Sequence, residues 1–285
     1  MFPEVSAIPG WRASGQTMNS TLSYRLAVFD MDDTLLGPDK ELSSENRRAL
    51  ERLRAAGIEV VLASGRFHDN VVLFEASFGF KGWIISSGGA VVRHSETGEV
   101  LLEIDVPHDL ALELFHRGRK LGLSLIGYHR TGIFCDEQSE WTSLYLRRTG
   151  QVPVADIPAL IGTGLQKLIW TTAADRIAQL TPELQREYRG RLYVVNTEHE
   201  MLEFLSPGAN KALAVQALAK RLGIGREQVL AFGDGNNDVP LLEWAGMSVA
   251  MAHGRDSAKR AAKKVSPPGP PETAVARSLD ELFAA

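Results

Sequence analysis

Short apolar runs alternate with amphipathic stretches from residue 24 onward. The runs at 24–29, 58–63 and 83–85 are mostly apolar, which is typical of strands that are buried on both faces. Between the first two runs, Leu50 and Leu53 are spaced to lie on one buried side of a helix. Strands that alternate with helices through short links predict a parallel sheet with right-handed crossovers.

The pattern changes after Gly89. Hairpin and helix signals are mixed from there to about residue 203, and the strand–helix alternation then returns. We therefore predict an α/β fold whose core is a doubly wound, Rossmann-like parallel sheet formed by residues 24–90 and 204–285. Residues 91–203 are expected to form an inserted α+β domain. Residues 1–23 show no periodicity, and we expect them to be a tail outside the fold.

Composition narrows the class of protein. The formal net charge of −4 argues against a nucleic-acid-binding surface. The chain has a single cysteine, Cys135, which fits a reducing compartment and is expected to be a small buried residue. Neither a membrane-spanning apolar run nor a signal-peptide pattern is present in the sequence. We therefore expect a cytoplasmic protein that contacts neither membrane nor nucleic acid.

Three carboxylates follow the first apolar run, at Asp30, Asp32 and Asp33. Like charges this close raise one another's pKa and resist burial. The cluster is therefore either a solvated turn or a site where a cation compensates the charge.

Other polar residues stand at the predicted ends of strands and helices, where the carboxyl ends of parallel strands bring ligand-binding groups together. Asp30, Asp234 and Asp238 would supply the oxygen ligands that suit Mg²⁺. Ser64 offers a neutral donor, and Lys211 offers a fixed positive charge. Carboxylates, a divalent cation, a lysine and oriented donors together are what a phosphoryl group in transfer requires.

The same residues resemble the motifs of a known family. The stretch DMDDTL at 30–35 resembles the DxDxT nucleophile motif of the haloacid dehalogenase (HAD) superfamily, and LASGR at 62–66 resembles its second motif. Lys211 stands where the third motif has its lysine, and GDGNNDVPLL at 233–242 resembles the fourth motif. The long insert between the second and third motifs is similar to that of the Cof-type phosphatases, in which it forms a cap domain.

The resemblance implies a role for each residue. Asp30 would be the nucleophile that forms an aspartyl-phosphate, and Asp32 would be the general acid and base. The phosphoryl oxygens would be bound by Ser64, Lys211 and Asn237. The Mg²⁺ cofactor would be bound by Asp30, Asp32 (through its backbone carbonyl), Asp234 and Asp238.

Two positions depart from the family pattern. Asp33 stands where glycine is common, and we expect its side chain to point away from the phosphate. Gly88 stands where the family often has asparagine, so one contact of that side chain is missing.

The expected function is an Mg²⁺-dependent phosphatase that acts on small phosphorylated metabolites such as sugar phosphates. A phosphomutase and a phospho-accepting receiver module are the alternatives. The acid–base residue Asp32 and the large insert argue against the receiver. Further candidates to lie near the substrate are Arg66 and the insert residues Tyr128, His129, Arg130 and Lys167.

Overall fold

The computed structural model describes residues 24–150 and 152–284, so the predicted tail lies outside the described residues. The strands of these residues form two sheets. The larger sheet contains β1 (Leu26–Phe29), β2 (Glu59–Ala63), β3 (Trp83–Ser86), β4 (Val91–His94), β5 (Val100–Glu103), β11 (Val229–Gly233), β12 (Met247–Ala250) and β13 (Lys264–Val265). The smaller sheet contains β6 (Ser124–His129), β7 (Gly132–Cys135), β8 (Leu165–Thr171), β9 (Tyr193–Glu198) and β10 (Met201–Leu205).

Helices cover both faces of the larger sheet, and the helices of the smaller sheet pack mainly on one of its faces, with Tyr145 of one helix packing on the other face. They are α1 (Ser44–Ala55), α2 (His68–Phe78), α3 (His108–Lys120), α4 (Glu140–Thr149), α5 (Ile157–Ile161), α6 (Ala174–Glu187), α7 (Lys211–Leu222), α8 (Val239–Trp244), α9 (Asp256–Ala261) and α10 (Ala274–Ala284). The side chain of Asn210 caps α7 by accepting a hydrogen bond from the backbone of Leu213, which fixes Lys211 as the first residue of that helix. No helix in the described part of the chain is both long enough and apolar enough to cross a membrane.

The core sheet has the order β13-β12-β11-β1-β2-β3-β4-β5. Strand β1 lies between β11 and β2 and is parallel to both. The chain adds β2 and β3 on one side of β1 and later adds β11 and β12 on the other, so the strand order reverses at β1. Such a reversal opens a crevice beyond the carboxyl ends of the strands.

Alternate residues of β1 face opposite helical layers, and all four are fully buried. Ala27 and Phe29 pack with residues of α1 and α10, whereas Leu26 and Val28 pack with residues of α7. Burial on both faces explains why the predicted strands are apolar runs without alternation. The predicted doubly wound α/β core is confirmed.

The second sheet is antiparallel, with the order β7-β6-β8-β10-β9, and forms the cap. One face packs against its own helices, with Trp170 and Phe204 at the centre. The other face turns toward the core domain: Phe67, which follows β2, packs edge-on against Tyr128 at 6.1 Å. The cap therefore lies over the carboxyl ends of the core strands.

Strand pairing places the boundaries of the insert at positions that differ from the expected ones. Strand β4 pairs with β3, and β5 pairs with β4, so the hairpin that begins at Val91 extends the core sheet instead of starting the cap. At the other end, β10 pairs with β8 and β9 and keeps the chain in the cap sheet as far as Leu205, beyond the expected boundary at 203. The expected boundary at residue 91 differs from the structure because a hairpin signal in the sequence does not indicate which sheet the hairpin joins.

Gly89 allows the core to bring α7 close to the end of β3. Its φ is +106°, and a Cβ at this position would lie 2.3 Å from the backbone carbon of Asn210. The backbone of the loop therefore touches the residue that caps α7, directly before Lys211. A side chain at position 89 would push the start of α7 outward.

We predict that Gly89→Ala lowers the free energy of unfolding by about 3–5 kcal/mol, because backbone strain and overpacking add. Gly98→Ala is the matched control: Gly98 also has a positive φ (+72°) but has open space where its Cβ would be. That control should cost about 1 kcal/mol. Urea unfolding measures both, and equal losses would show that the close approach to Asn210 does not matter.

Candidate active site

Loops at the ends of the core strands bring most of the predicted residues together. Asp30 follows β1, Ser64 follows β2, and Asp234 follows β11. Lys211 reaches the same place from the first turn of α7. The convergence follows from the parallel arrangement, because the carboxyl ends of β1, β2 and β11 lie at one edge of the sheet.

Lys211 is the centre of this group. It is fully buried, and its Nζ lies 2.5 Å from Asp30 Oδ1 and 2.6 Å from Asp238 Oδ1. Burial alone would lower the pKa of Lys211, but Asp238 and Asp30 together raise it well above its usual value. The lysine therefore stays protonated and supplies a permanent positive charge between two carboxylates.

The loop after β11 orients Asp238. Its Oδ2 accepts hydrogen bonds from the backbone N–H groups of Asp234 (3.0 Å) and Gly235 (2.9 Å). A Cβ on Gly233 would lie 2.5 Å from that of Asp238, so glycine is needed for the tight turn. Both oxygens of Asp238 are thus engaged, one by Lys211 and one by the backbone.

Asp30, Asp234 and Asp238 form a compact acidic group whose oxygens lie within 4.8 Å of one another. Burial raises the pKa of Asp30 well above its usual range; the charges of Asp238 and Asp234 add to this, while Lys211 opposes it. Burial and the charge of Asp238 raise the pKa of Asp234 to about 6. This crowding and the all-oxygen donor set fit a hard divalent cation such as Mg²⁺.

The side chain of Asp32 does not join that group. It forms a bidentate pair with Arg66, at 2.7 Å from Nε to Oδ2 and 2.6 Å from Nη2 to Oδ1. Burial alone would raise the pKa of Asp32, but Arg66, with help from Lys40, lowers it. Any contribution of Asp32 to a metal site would therefore come from its backbone carbonyl, as the family resemblance implies.

Ser64 and Asn237 lie on opposite sides of Asp30, in the loops after β2 and β11. Ser64 is buried, and its hydroxyl accepts a hydrogen bond from the backbone N–H of Arg66 at 3.1 Å. Asn237 is half-buried in the short helical turn Asn236–Asp238. Their assignment to phosphate stays a prediction.

Asp33 has an unusual backbone conformation. Its φ of +60° lies in the left-handed region, which glycine adopts freely and which aspartate and asparagine tolerate better than most residues. Its side chain is half exposed and pairs with Lys40 at 3.0 Å. The geometry explains why glycine suits this position.

The cap contributes residues that the sequence pattern identified only partly. Lys167 and Tyr128, two of the insert candidates, lie on the face of the cap sheet that turns toward the core. Arg130 instead pairs with Asp105 on the surface. Sequence reasoning missed Glu203 in β10, although a charged residue in the apolar run Met201–Leu205 was a visible signal.

Comparisons with known proteins agree with this geometry. A family model described as haloacid dehalogenase-like hydrolase matches residues 27–279. Over 232 residues the chain is 28% identical to the HMP-PP phosphatase of Serratia proteamaculans (strain 568), an alignment that covers 81% of this chain and 84% of that protein.

Solved structures give the same result. A haloacid dehalogenase-like hydrolase from Bacteroides thetaiotaomicron is 29% identical with a TM-score of 0.79, over 92% of this chain and 100% of that chain. The HAD subclass IIB sugar phosphatase BT4131 has a TM-score of 0.80 at 19% identity, again over 92% of this chain and 100% of that chain. At this identity the likeness is one of fold. The chain belongs to the haloacid dehalogenase-like hydrolases, as its motifs predicted.

We predict that Lys211→Met lowers the free energy of unfolding in metal-free buffer by about 3–5 kcal/mol, because it leaves buried carboxylates without their cation. Lys40→Met is the matched control, because Lys40 also contacts two carboxylates but is 45% exposed. It should change stability by less than about 1 kcal/mol. Urea unfolding of both variants makes the comparison, and similar losses would contradict the central place of Lys211.

Proposed function

We propose that the protein is an Mg²⁺-dependent phosphatase that hydrolyses small phosphorylated metabolites, such as sugar phosphates, through an aspartyl-phosphate at Asp30. The observation that carries the proposal is the buried Asp30 carboxylate, which contacts Lys211 and shares an acidic group with Asp234 and Asp238. The relative named as an HMP-PP phosphatase supports it. We expect the enzyme to act in the cytoplasm, on free small molecules.

Charge balance favours a divalent cation. With all three carboxylates ionised, the acidic group and Lys211 leave two uncompensated negative charges, which one Mg²⁺ would balance. Asp30, Asp234, Asp238 and the backbone carbonyl of Asp32 would hold the ion. When bound, it would offset charge on the phosphoryl oxygens during transfer.

Asp30 would attack phosphorus with a carboxylate oxygen. Lys211 already binds Oδ1, so Oδ2 is the oxygen left for attack. Lys211, Ser64 and Asn237 would bind the phosphoryl oxygens in the core, together with backbone N–H groups that follow Asp30. The bond from phosphorus to the leaving oxygen breaks as the aspartyl-phosphate forms, and water then releases phosphate.

Asp32 would protonate the leaving oxygen and then take a proton from the incoming water. In the observed arrangement Arg66 lowers its pKa, which favours the ionised form. The acid step therefore requires Asp32 to leave Arg66 and turn toward the substrate. The second step suits the ionised carboxylate, because a base must be free of its proton.

Asp30→Asn should abolish phosphate release, because the amide cannot act as the attacking carboxylate. The assay follows free phosphate from a phosphomonoester panel with Mg²⁺, and with EDTA in place of Mg²⁺, which should also stop turnover. Circular dichroism checks that the fold persists. Turnover by the variant at the wild-type rate would contradict the mechanism, and an isomeric phosphate ester in place of free phosphate would identify a mutase.

Asp32→Asn should slow the chemical step by about 10²–10⁴-fold, the usual contribution of general acid–base catalysis. Phosphate binding should be largely kept, because the side chain of Asp32 lies outside the acidic group. Rapid-quench single-turnover experiments measure the step directly. An unchanged single-turnover rate would rule out the acid–base role.

A further inference from the structure

The core-facing side of the cap sheet contains a buried ion pair that the mechanism above does not use. Lys167 is fully buried and Glu203 is 5% exposed, with 3.1 Å between Nζ and Oε1. The ammonium group also lies over the ring of Tyr128, 4.3 Å from its centroid. A buried ion pair is seldom more stabilising than apolar residues of the same volume, so its presence here calls for a reason beyond stability.

Strand pairing shows which way Glu203 points. It lies opposite Ile169 of β8 and Val195 of β9, and cross-strand partners face the same side of a sheet. Ile169 packs in a cluster with Phe67 of the core, and Val195 packs in one with Ala90 and Ala209 of the core. Glu203 therefore faces the core domain.

The pair has one direct contact with the core and one aromatic neighbour on the same side of the cap sheet. Lys167 donates a hydrogen bond to the backbone carbonyl of Gly65, directly after Ser64, at 2.8 Å. Tyr193 of β9 lies opposite Leu205 and packs against the cluster that contains Ala90 and Ala209 of the core, so its ring lies on the core-facing side of the cap sheet. Burial raises its pKa, as do the charges of Asp238 and Glu203, while Lys211 opposes them.

The two oxygens of Glu203 differ. Oε1 accepts hydrogen bonds from both Lys167 Nζ (3.1 Å) and Thr197 Oγ1 (3.0 Å). No group among residues 24–150 and 152–284 donates to Oε2. Oε2 is also not one of the fully buried side-chain oxygens, so water or a ligand can reach it and donate a hydrogen bond to it.

We propose that Glu203 is a specificity-determining residue whose Oε2 accepts a hydrogen bond from an O–H or N–H group on the leaving group of the substrate. This inference rests on the proposed phosphatase function and names the substrate class: phosphomonoesters whose alcohol portion carries a donor. Lys167 and Thr197 are positioning residues, because their contacts with Oε1 turn Oε2 toward the ligand. A site built to bind a donor rejects analogues that lack one, because its acceptor is left unpaired.

The test compares two kinds of substrate in wild type and Glu203→Gln. The donor-bearing probes are hexose 6-phosphates and glycerol 3-phosphate for O–H groups, and aminoethyl phosphate for N–H groups. Phenyl phosphate is the probe whose leaving group carries no other donor. The measured quantity is the kcat/KM of the best donor-bearing ester divided by the kcat/KM of phenyl phosphate. We expect this ratio to exceed one in wild type and to fall at least tenfold in Glu203→Gln.

Glu187→Gln is the matched control, because it breaks the ion pair of Glu187 with Arg117 on the helical face of the cap sheet, away from the core-facing side. It should leave the ratio within about threefold. Thermal melting with each variant tracks folding. If Glu203→Gln lowered kcat/KM equally for all esters, the ion pair would only hold the cap in place and the proposal would be wrong. It would also be wrong if wild type preferred phenyl phosphate. Absence of phosphate release from every ester by wild type would instead refute the proposed function itself.

Discussion

The buried contact of Lys211 with Asp30 and Asp238 is the interaction on which the site depends. It joins three separate segments: the end of β1, the start of α7 and the loop after β11. Without the lysine, the acidic residues would repel one another across a space that water barely reaches. The asparagine cap of α7 and the close approach at Gly89 both fix where that ammonium group lies. Fold and chemistry thus require the same local geometry.

In the proposed function, the two domains would divide substrate recognition between them. The core supplies charges suited to a phosphoryl group, which is common to all substrates of this kind. The cap supplies the face that carries Lys167, Glu203 and Tyr193, which would meet the variable part of the substrate. The segment that contains Gly65 and Arg66 connects the two, because Lys167 of the cap donates to the carbonyl of Gly65 and Arg66 binds Asp32. If Asp32 has the proposed acid–base role, a change in the cap would affect that step as well as binding.

The core and the residues that meet at the candidate site could be predicted because their signals are local. Apolar runs predict buried strands, and each acidic or hydroxyl residue lies within a short motif directly after one of them. The pair of Asp32 with Arg66 could not be read in this way, because 34 positions separate them and either could have paired elsewhere. Glu203 was missed for the same reason: its partner, Lys167, lies on another strand, and only strand register brings the two together.

The ion pairs around the site each lie within one domain: Lys211 with its carboxylates in the core, and Lys167 with Glu203 in the cap. The core and the cap are joined by hydrogen bonds to backbone carbonyls, such as those of Gly65 and Asn196. Water can replace these bonds when the domains separate. Hinge opening would thus leave these ion pairs intact and would separate no opposite charges. The barrier to substrate exchange would then depend little on ionic strength.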